Sequence, residues 1–245
     1  MKISLFIPVL LLVFGTGAVA AGVVEYTVND ETYQGYFISP TASAPLVLLV
    51  HDWDGLTDYE VKRAEMLAAM GFAVFAADLF GKGVRPTEVK DKKQHTGELY
   101  KDRSKLRSLM QGAMQAAKAQ GGNVDNAVVM GYCFGGAAVL EMARSGAEAK
   151  GFVTFHGGLA TPEGQDYTQT KGQLLIFHGS ADSNITLDDF ASLAKQLEQH
   201  KVTHEMITYS GAPHAFTVFH DERYREDADR KSWRRFGEFL AATLH

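Results

Sequence analysis

Cysteine is nearly absent from the chain: one residue, Cys133, in 245. No internal disulfide can form, which excludes a small cross-linked scaffold, and a lone thiol is then either inert packing or chemistry. A thiol peroxidase is disfavoured as well, because no second cysteine exists to resolve a sulfenate. Positive charge is not in excess: 24 Lys and Arg stand against 29 Asp and Glu, for a formal charge of −5. Nothing in that balance draws the whole molecule to nucleic acid or to an anionic membrane. Long apolar runs are also missing, since the one from Ile3 to Val13, broken by Ser4 and Pro8, falls short of the ~20 residues that span a bilayer. What is present, 46% hydrophobic and 22% charged residues, suits one sizeable core.

The first residues read as a secretory signal. Lys2 precedes the apolar run, Gly15-Thr16-Gly17 follows it, and Ala18-Val19-Ala20 is an A-x-A cleavage site. Cleavage after Ala20 leaves residues 21–245 as a single domain, with the periplasm as the expected location and no stable membrane insertion. A free thiol retained in an oxidising compartment invites a functional reason.

The mature chain is patterned as an α/β protein. Val23–Val28 and Thr32–Ser39 flank the turn pair Asn29-Asp30, which predicts an opening antiparallel hairpin. Leu46–Val50, Phe72–Ala77, Ala127–Met130, Phe152–Phe155 and Leu174–Phe177 are short apolar runs expected of strands covered on both faces, while Val202–Tyr209 alternates and belongs nearer an edge. Helical spacing appears over Tyr59–Met70, over about Glu98 to Ala119, after a capping pair Thr186/Asp189, and in a last helix with Trp233, Phe236 and Leu240 on one side. Alternating strands and helices predict a mostly parallel sheet with helices on both faces. The segment Lys82–Arg107 stands apart, with nine Lys or Arg against four Asp or Glu. It is either a solvated face or a cationic flank that draws anionic substrates to a cleft.

The chemistry concentrates at Gly131-Tyr132-Cys133-Phe134-Gly135-Gly136. An apolar strand runs into this G-x-C-x-G turn and a helix-forming stretch follows. A nucleophile on so sharp a strand-to-helix turn leaves no room for side chains two positions either side, hence the glycines. The helix start behind the sulfur is expected to lower the thiol pKa. A base and an orienting acid are needed next, in the order nucleophile, acid, His. Asp182, in His178-Gly179-Ser180-Ala181-Asp182, and His214, in Gly211-Ala212-Pro213-His214-Ala215-Phe216, both follow strands and supply them. The backbone N–H of Phe134 and that of Trp53, in the loop His51-Asp52-Trp53-Asp54-Gly55, are the expected oxyanion donors. His51, His156 and His178 also stand at strand ends and are given structural or secondary pocket roles. His51, Asp52 and Asp54 are metal-ligand types in one loop, but no further ligand stands at a suggestive spacing, so neither metal nor cofactor is expected.

With those residues assembled, the chain resembles the dienelactone hydrolase family over nearly all of its mature length. The resemblance rests on Gly131-Tyr132-Cys133-Phe134-Gly135-Gly136, Asp78-Leu79-Phe80-Gly81, Gly179-Ser180-Ala181-Asp182 and His214-Ala215-Phe216. It implies an α/β-hydrolase fold, no cofactor, and cleavage of a lactone or ester through a thioester on Cys133, with His214 as base and then acid and Asp182 orienting it. It also implies that Asp52 stands where the family places a glutamate that helps activate the thiol. Lys82 matches one of two arginines that bind the substrate carboxylate, and no arginine stands among Phe216, Thr217 and Val218, where the other belongs. A lysine is a point charge and does not reproduce a bidentate guanidinium grip. The expected function is therefore an exported hydrolase of small carboxylic esters or lactones. Thioesters or larger esters, and a non-catalytic binding protein for an anionic ligand, are the competing readings.

Overall fold

The computed structural model describes residues 20–244. The expected signal segment lies outside them, save for Ala20, where the first strand begins.

The chain opens on an antiparallel hairpin of β1 (Ala20–Val28) and β2 (Glu31–Ser39). Its turn residues Asn29 and Asp30 have φ of 49° and 65°. Two successive left-handed residues make a turn whose twist matches that of the strands, and Asn and Asp tolerate that region better than most. β2 pairs antiparallel with β4 (Ala73–Ala77). From there the sheet is parallel, through β3 (Pro45–Val50), β5 (Asn123–Tyr132), β6 (Gly151–Phe155), β7 (Gln173–Gly179) and β8 (His204–Tyr209). The spatial order is β1-β2-β4-β3-β5-β6-β7-β8.

Two-sided burial explains the apolar runs. Leu46, Leu48 and Val50 of β3 enter one core while Val47 and Leu49 enter the other, all at 0% exposure. The first core is closed by α3 (Arg103–Ala119), α4 (Phe134–Arg144) and α5 (Leu187–Gln199), through Leu106, Met110, Val139, Leu193 and Leu197 among others. The second is closed by α1 (Asp58–Ala69) and α6 (Glu226–Thr243), through Ala64, Leu67, Phe236 and Leu240. Each large side chain so buried contributes about 1.5–3 kcal/mol. β8, with no fully buried residue, is the edge strand its alternation predicts.

One element differs. Where a single helix is expected from about Glu98 to Ala119, the chain forms α2 (Val89–Lys101) and then α3, broken at Asp102 with φ −107° and ψ 80°. The Asp102 side chain accepts the Lys105 N–H at 2.8 Å. An aspartate that caps the following turn cannot also continue the preceding helix. Capping boxes start α1 (Thr57/Glu60) and α5 (Thr186/Asp189). The loops after β3, β5, β7 and β8 leave the carboxyl ends of adjacent strands, the edge where open parallel sheets build their sites.

Candidate active site

β5 delivers the chain to Cys133 at φ 46° and ψ −108°. A non-glycine residue held there costs on the order of 1–3 kcal/mol, so surrounding contacts must over-determine it. They do: Cys133 N–H donates to Phe155 O at 3.1 Å, and Gly158 N–H donates to Cys133 O at 3.3 Å. A Cβ on Gly131 would lie 2.4 Å from the Gly135 backbone, and one on Gly135 would lie 2.5 Å from the carbonyl oxygens of Val50 and His51. The turn closes only on glycine at both positions.

The loops after β7 and β8 bring Asp182 and His214 to the thiol. His214 Nε2 lies 3.1 Å from Cys133 Sγ, and Nδ1 lies 2.7 Å from Asp182 Oδ2. Asp182 Oδ1 accepts the N–H groups of Asn184 and Ile185 at 2.8 and 2.9 Å. Burial works to raise the Asp182 pKa, but the hydrogen bond and charge of His214, with those two N–H groups, outweigh it and hold the carboxyl below its ordinary range. An ionised Asp182 accepts Nδ1–H and leaves the Nε2 lone pair facing the thiol.

The thiol itself departs from expectation. Burial, then the charge of Asp52 and a hydrogen bond to it, push Cys133 well above the ordinary thiol pKa, with the Phe134 N–H acting in the opposite sense. The helix start does stabilise a thiolate, but burial of the sulfur, and then the Asp52 carboxylate, outweigh it. Asp52 is raised in turn, by burial and then by Asp54. The shift favours the thiol over the thiolate at Cys133, with Asp52 and His214 both in reach of the sulfur.

Of the expected oxyanion donors, Phe134 N–H is directed at the Cys133 sulfur. The Trp53 N–H donates to Asp52 Oδ1 at 2.5 Å, so it is engaged by a carboxylate rather than free. The Trp53 ring lies 5.2 Å beneath the Lys92 ammonium, which also stands 3.4 Å from Asp54. Lys82 is not brought to the triad: its Nζ pairs with Glu25 at 2.7 Å on edge strand β1, separated from β5 by β2, β4 and β3. The strand-end histidines hold loops. His51 Nε2 accepts Leu79 N–H at 3.1 Å and its Nδ1 donates to Asp52 O, His156 bonds Thr217 Oγ1 at 2.8 Å, and His178 bonds Ile185 O at 2.8 Å.

Two residues at the site escape sequence reasoning. The Tyr100 ring packs edge-on against Phe134 at 5.5 Å, and its pKa is raised chiefly by burial, with Arg103 acting in the opposite sense. Arg223, gripped by Asp221 at 2.7 and 2.8 Å, also interacts electrostatically with Asp52 and Cys133. Neither carries a local motif; both arrive on segments whose path over the sheet sets their place. A surface concavity of about 800 Å³ opens at the amino ends of the strands among Val124, Lys150, Gln173 and Thr203 and contains none of the triad. Hydrogen-bonded chemistry, not concavity size, locates the site. Among the described residues no group of three or more His, Cys, Asp or Glu is arranged to hold a metal, and no helix is long and apolar enough to cross a membrane.

Comparison with known proteins points the same way. The model of the dienelactone hydrolase family matches residues 33–244. A probable 2-oxo-3-(5-oxofuran-2-ylidene)propanoate lactonase of Bradyrhizobium is 26% identical over 89% of this chain and 92% of its own. A putative carboxymethylenebutenolidase of Salmonella typhimurium is 23% identical over 92% of this chain and 88% of its own. Among solved structures, a dienelactone hydrolase-like promiscuous phosphotriesterase from metagenomic libraries superposes with a TM-score of 0.87 at 28% identity, covering 94% of this chain and all of the other. The fold, with its mostly parallel sheet and flanking helices, is that of the α/β-hydrolases, and the chain belongs to the dienelactone hydrolase family.

Proposed function

We propose that the protein is an exported hydrolase of small carboxylic esters and lactones that works through Cys133, His214 and Asp182 with a thioester acyl-enzyme. The observation that carries this reading is His214, bridging the thiol at 3.1 Å and the carboxylate at 2.7 Å. His214 Nε2 takes the thiol proton as the sulfur attacks the carbonyl carbon, and Asp182 stabilises the imidazolium so formed. The Phe134 N–H, which meets the sulfur at rest, becomes the donor to the oxyanion that develops on the carbon bonded to that sulfur. Collapse expels the alkoxide, which takes the proton back from His214. Water, deprotonated by the same nitrogen, then attacks the thioester, and the carboxylate product leaves as the thiol is restored.

Asp52 acts before the first step. It holds the S–H as an acceptor and keeps the sulfur neutral, which suits a thiol kept in an oxidising compartment, since oxidation proceeds through the thiolate. The leader at residues 1–20 and one hydrolase domain at 21–245 belong to the same proposal, and N-terminal sequencing of the exported protein tests them.

A second reading at the same thiol, hydrolysis of activated phosphotriesters, is favoured by the 28% identity to the phosphotriesterase structure. One experiment separates the readings: intact-mass measurement after incubation with a panel of lactones, esters, thioesters and a phosphotriester. An acyl adduct on Cys133 that is absent from Cys133→Ala supports ester or lactone chemistry, and a phosphoryl adduct supports the second reading. Equal turnover by Cys133→Ala overturns both, and ligand capture without any adduct or turnover favours a binding protein.

A further inference from the structure

Glu60, in the first turn of α1, is 0% exposed. Its Oε2 accepts the N–H and the hydroxyl of Thr57, each at 2.8 Å, which closes the capping box. Its Oε1 accepts the N–H of Asp52 at 3.2 Å. The chain builds the same box a second time without a glutamate. At the start of α5, Asp189 Oδ2 accepts the N–H and the hydroxyl of Thr186, again at 2.8 Å each, from a partly exposed position. Capping is thus complete with one carboxylate oxygen on the shorter side chain. The extra methylene of Glu60 carries a second oxygen out of the helix to the loop after β3. Burial pushes the Glu60 pKa up to about 8 against the pull of the Thr57 bonds, with Asp52 and Asp54 adding to the rise. A cap alone does not call for a carboxyl in so costly a setting, as Asp189 shows.

We propose that Glu60 is a positioning residue for the nucleophile: from α1 it fixes the backbone of Asp52 and thereby aims the Asp52 carboxylate at the Cys133 thiol. The proposal rests on the hydrolase reading above for its catalytic consequence. The other contacts of Asp52 come from its own loop or from the thiol. Its carbonyl accepts His51 Nδ1–H and, at 3.4 Å, Gly55 N–H, its Oδ1 accepts Trp53 N–H, and its carboxylate meets the sulfur. Glu60 instead fastens the loop to α1, which is anchored on the sheet through Ala64 and Leu67. A peptide N–H held by a buried acceptor turns little, so the direction of the Asp52 side chain is set with it.

The test follows alkylation of Cys133 by iodoacetamide across pH, with turnover of 4-nitrophenyl acetate in parallel, in wild type, Glu60→Asp, Glu60→Gln, Thr57→Val and Asp52→Asn. Glu60→Asp keeps an oxygen for the cap but falls short of Asp52. Its alkylation midpoint should move to lower pH, in the direction of Asp52→Asn, and its kcat should fall about ten-fold with KM little changed. Glu60→Gln should match wild type in both, since its amide oxygen fits the Asp52 N–H while its NH2 donates to Thr57 Oγ1. Thr57→Val weakens the cap and lowers the urea midpoint but leaves Glu60 on Asp52, so its alkylation profile should also match wild type. In Asp52→Asn with Glu60→Asp, the midpoint should stay within about 0.3 pH units of Asp52→Asn alone, because the second change acts through a group already removed. A Glu60→Asp profile that superposes on wild type, an equal shift in Thr57→Val, or additive shifts in the double variant overturns the proposal. An Asp52→Asn midpoint equal to wild type leaves Glu60 nothing to act through and overturns it too. Should Glu60→Asp not fold, Glu60→Ala is judged by the same criteria. If wild type turns over no ester, the hydrolase reading is what has failed, and the alkylation profiles still decide the role of Glu60.

Discussion

Nε2 of His214 stands 3.1 Å from the sulfur of Cys133, and burial and then Asp52 push the pKa of that thiol well above its ordinary value. Under the proposed mechanism such a thiol loses its proton during attack, which makes His214 an acting base and not only the partner of a preformed ion pair. His214→Asn is therefore expected to slow acylation about a thousand-fold, and Asp182→Asn to slow it by a comparable factor through the wrong imidazole tautomer. Stopped-flow release of nitrophenol from a short acyl ester measures both. A His214→Asn rate within ten-fold of wild type would contradict the assignment.

Asp52 makes a prediction in which two readouts move in opposite directions. Burial and then Asp52 raise the Cys133 pKa, so Asp52→Asn removes an anion beside the sulfur and lowers it. The midpoint of the pH–rate profile for iodoacetamide alkylation should shift to lower pH, and alkylation at pH 7 should quicken. Ester turnover should nevertheless fall, because the variant loses the acceptor that aligns the S–H. Slower alkylation in Asp52→Asn would show that Asp52 does not suppress the thiolate.

What was legible in the sequence is what is local to the chain. Asn29-Asp30 specifies its own turn, Gly131 and Gly135 are demanded by the strand-to-helix turn between them, and the Thr186/Asp189 capping box closes within one helical turn. The strand runs were readable because two-sided burial leaves no polar positions. The positions that escaped depend on partners far along the chain or on a choice between nearby ones. Trp53 N–H turns to its own neighbour Asp52, Lys82 reaches across to Glu25, and Asp102 breaks a helix whose periodicity runs through it. Arg223 and Tyr100 become neighbours of the thiol only once the sheet is assembled, so no spacing announces them.

The elbow gives a stability prediction. A methyl on Gly135 meets Val50 O and His51 O at 2.5 Å, both backbone atoms of the central strand β3 and the loop that follows it. Neither can yield without disturbing the sheet, so Gly135→Ala should lose about 2–3 kcal/mol or fail to fold. Gly121→Ala has open space around its Cβ but a φ of 91°, and isolates the cost of backbone conformation alone. Urea unfolding of the two variants separates collision from strain, and a smaller loss in Gly135→Ala than in Gly121→Ala would refute the collision.

The loop that carries His214 is fastened from below by Arg63. This arginine is 1% exposed and donates from Nη2 to Asp229 Oδ1 at 2.6 Å and to Thr217 O at 2.7 Å, joining α1, α6 and the His214 loop. Its guanidinium also lies 4.1 Å from the Phe219 ring and 4.8 Å from that of Trp233. Thr217 Oγ1 continues the contact to Tyr59 and to His156, whose ring stands 5.3 Å from that of His214. Arg63→Met leaves Asp229 buried without a counter-charge and should cost about 3–5 kcal/mol. Replacing both, Arg63→Met with Asp229→Leu, removes the unpaired charge and should recover most of that loss. Turnover should not recover with it, because Thr217 O still lacks its donor and His214 is no longer held against the thiol. If the double variant regains wild-type kcat along with its stability, Arg63 is a structural fastener only and the loop finds its position by packing alone.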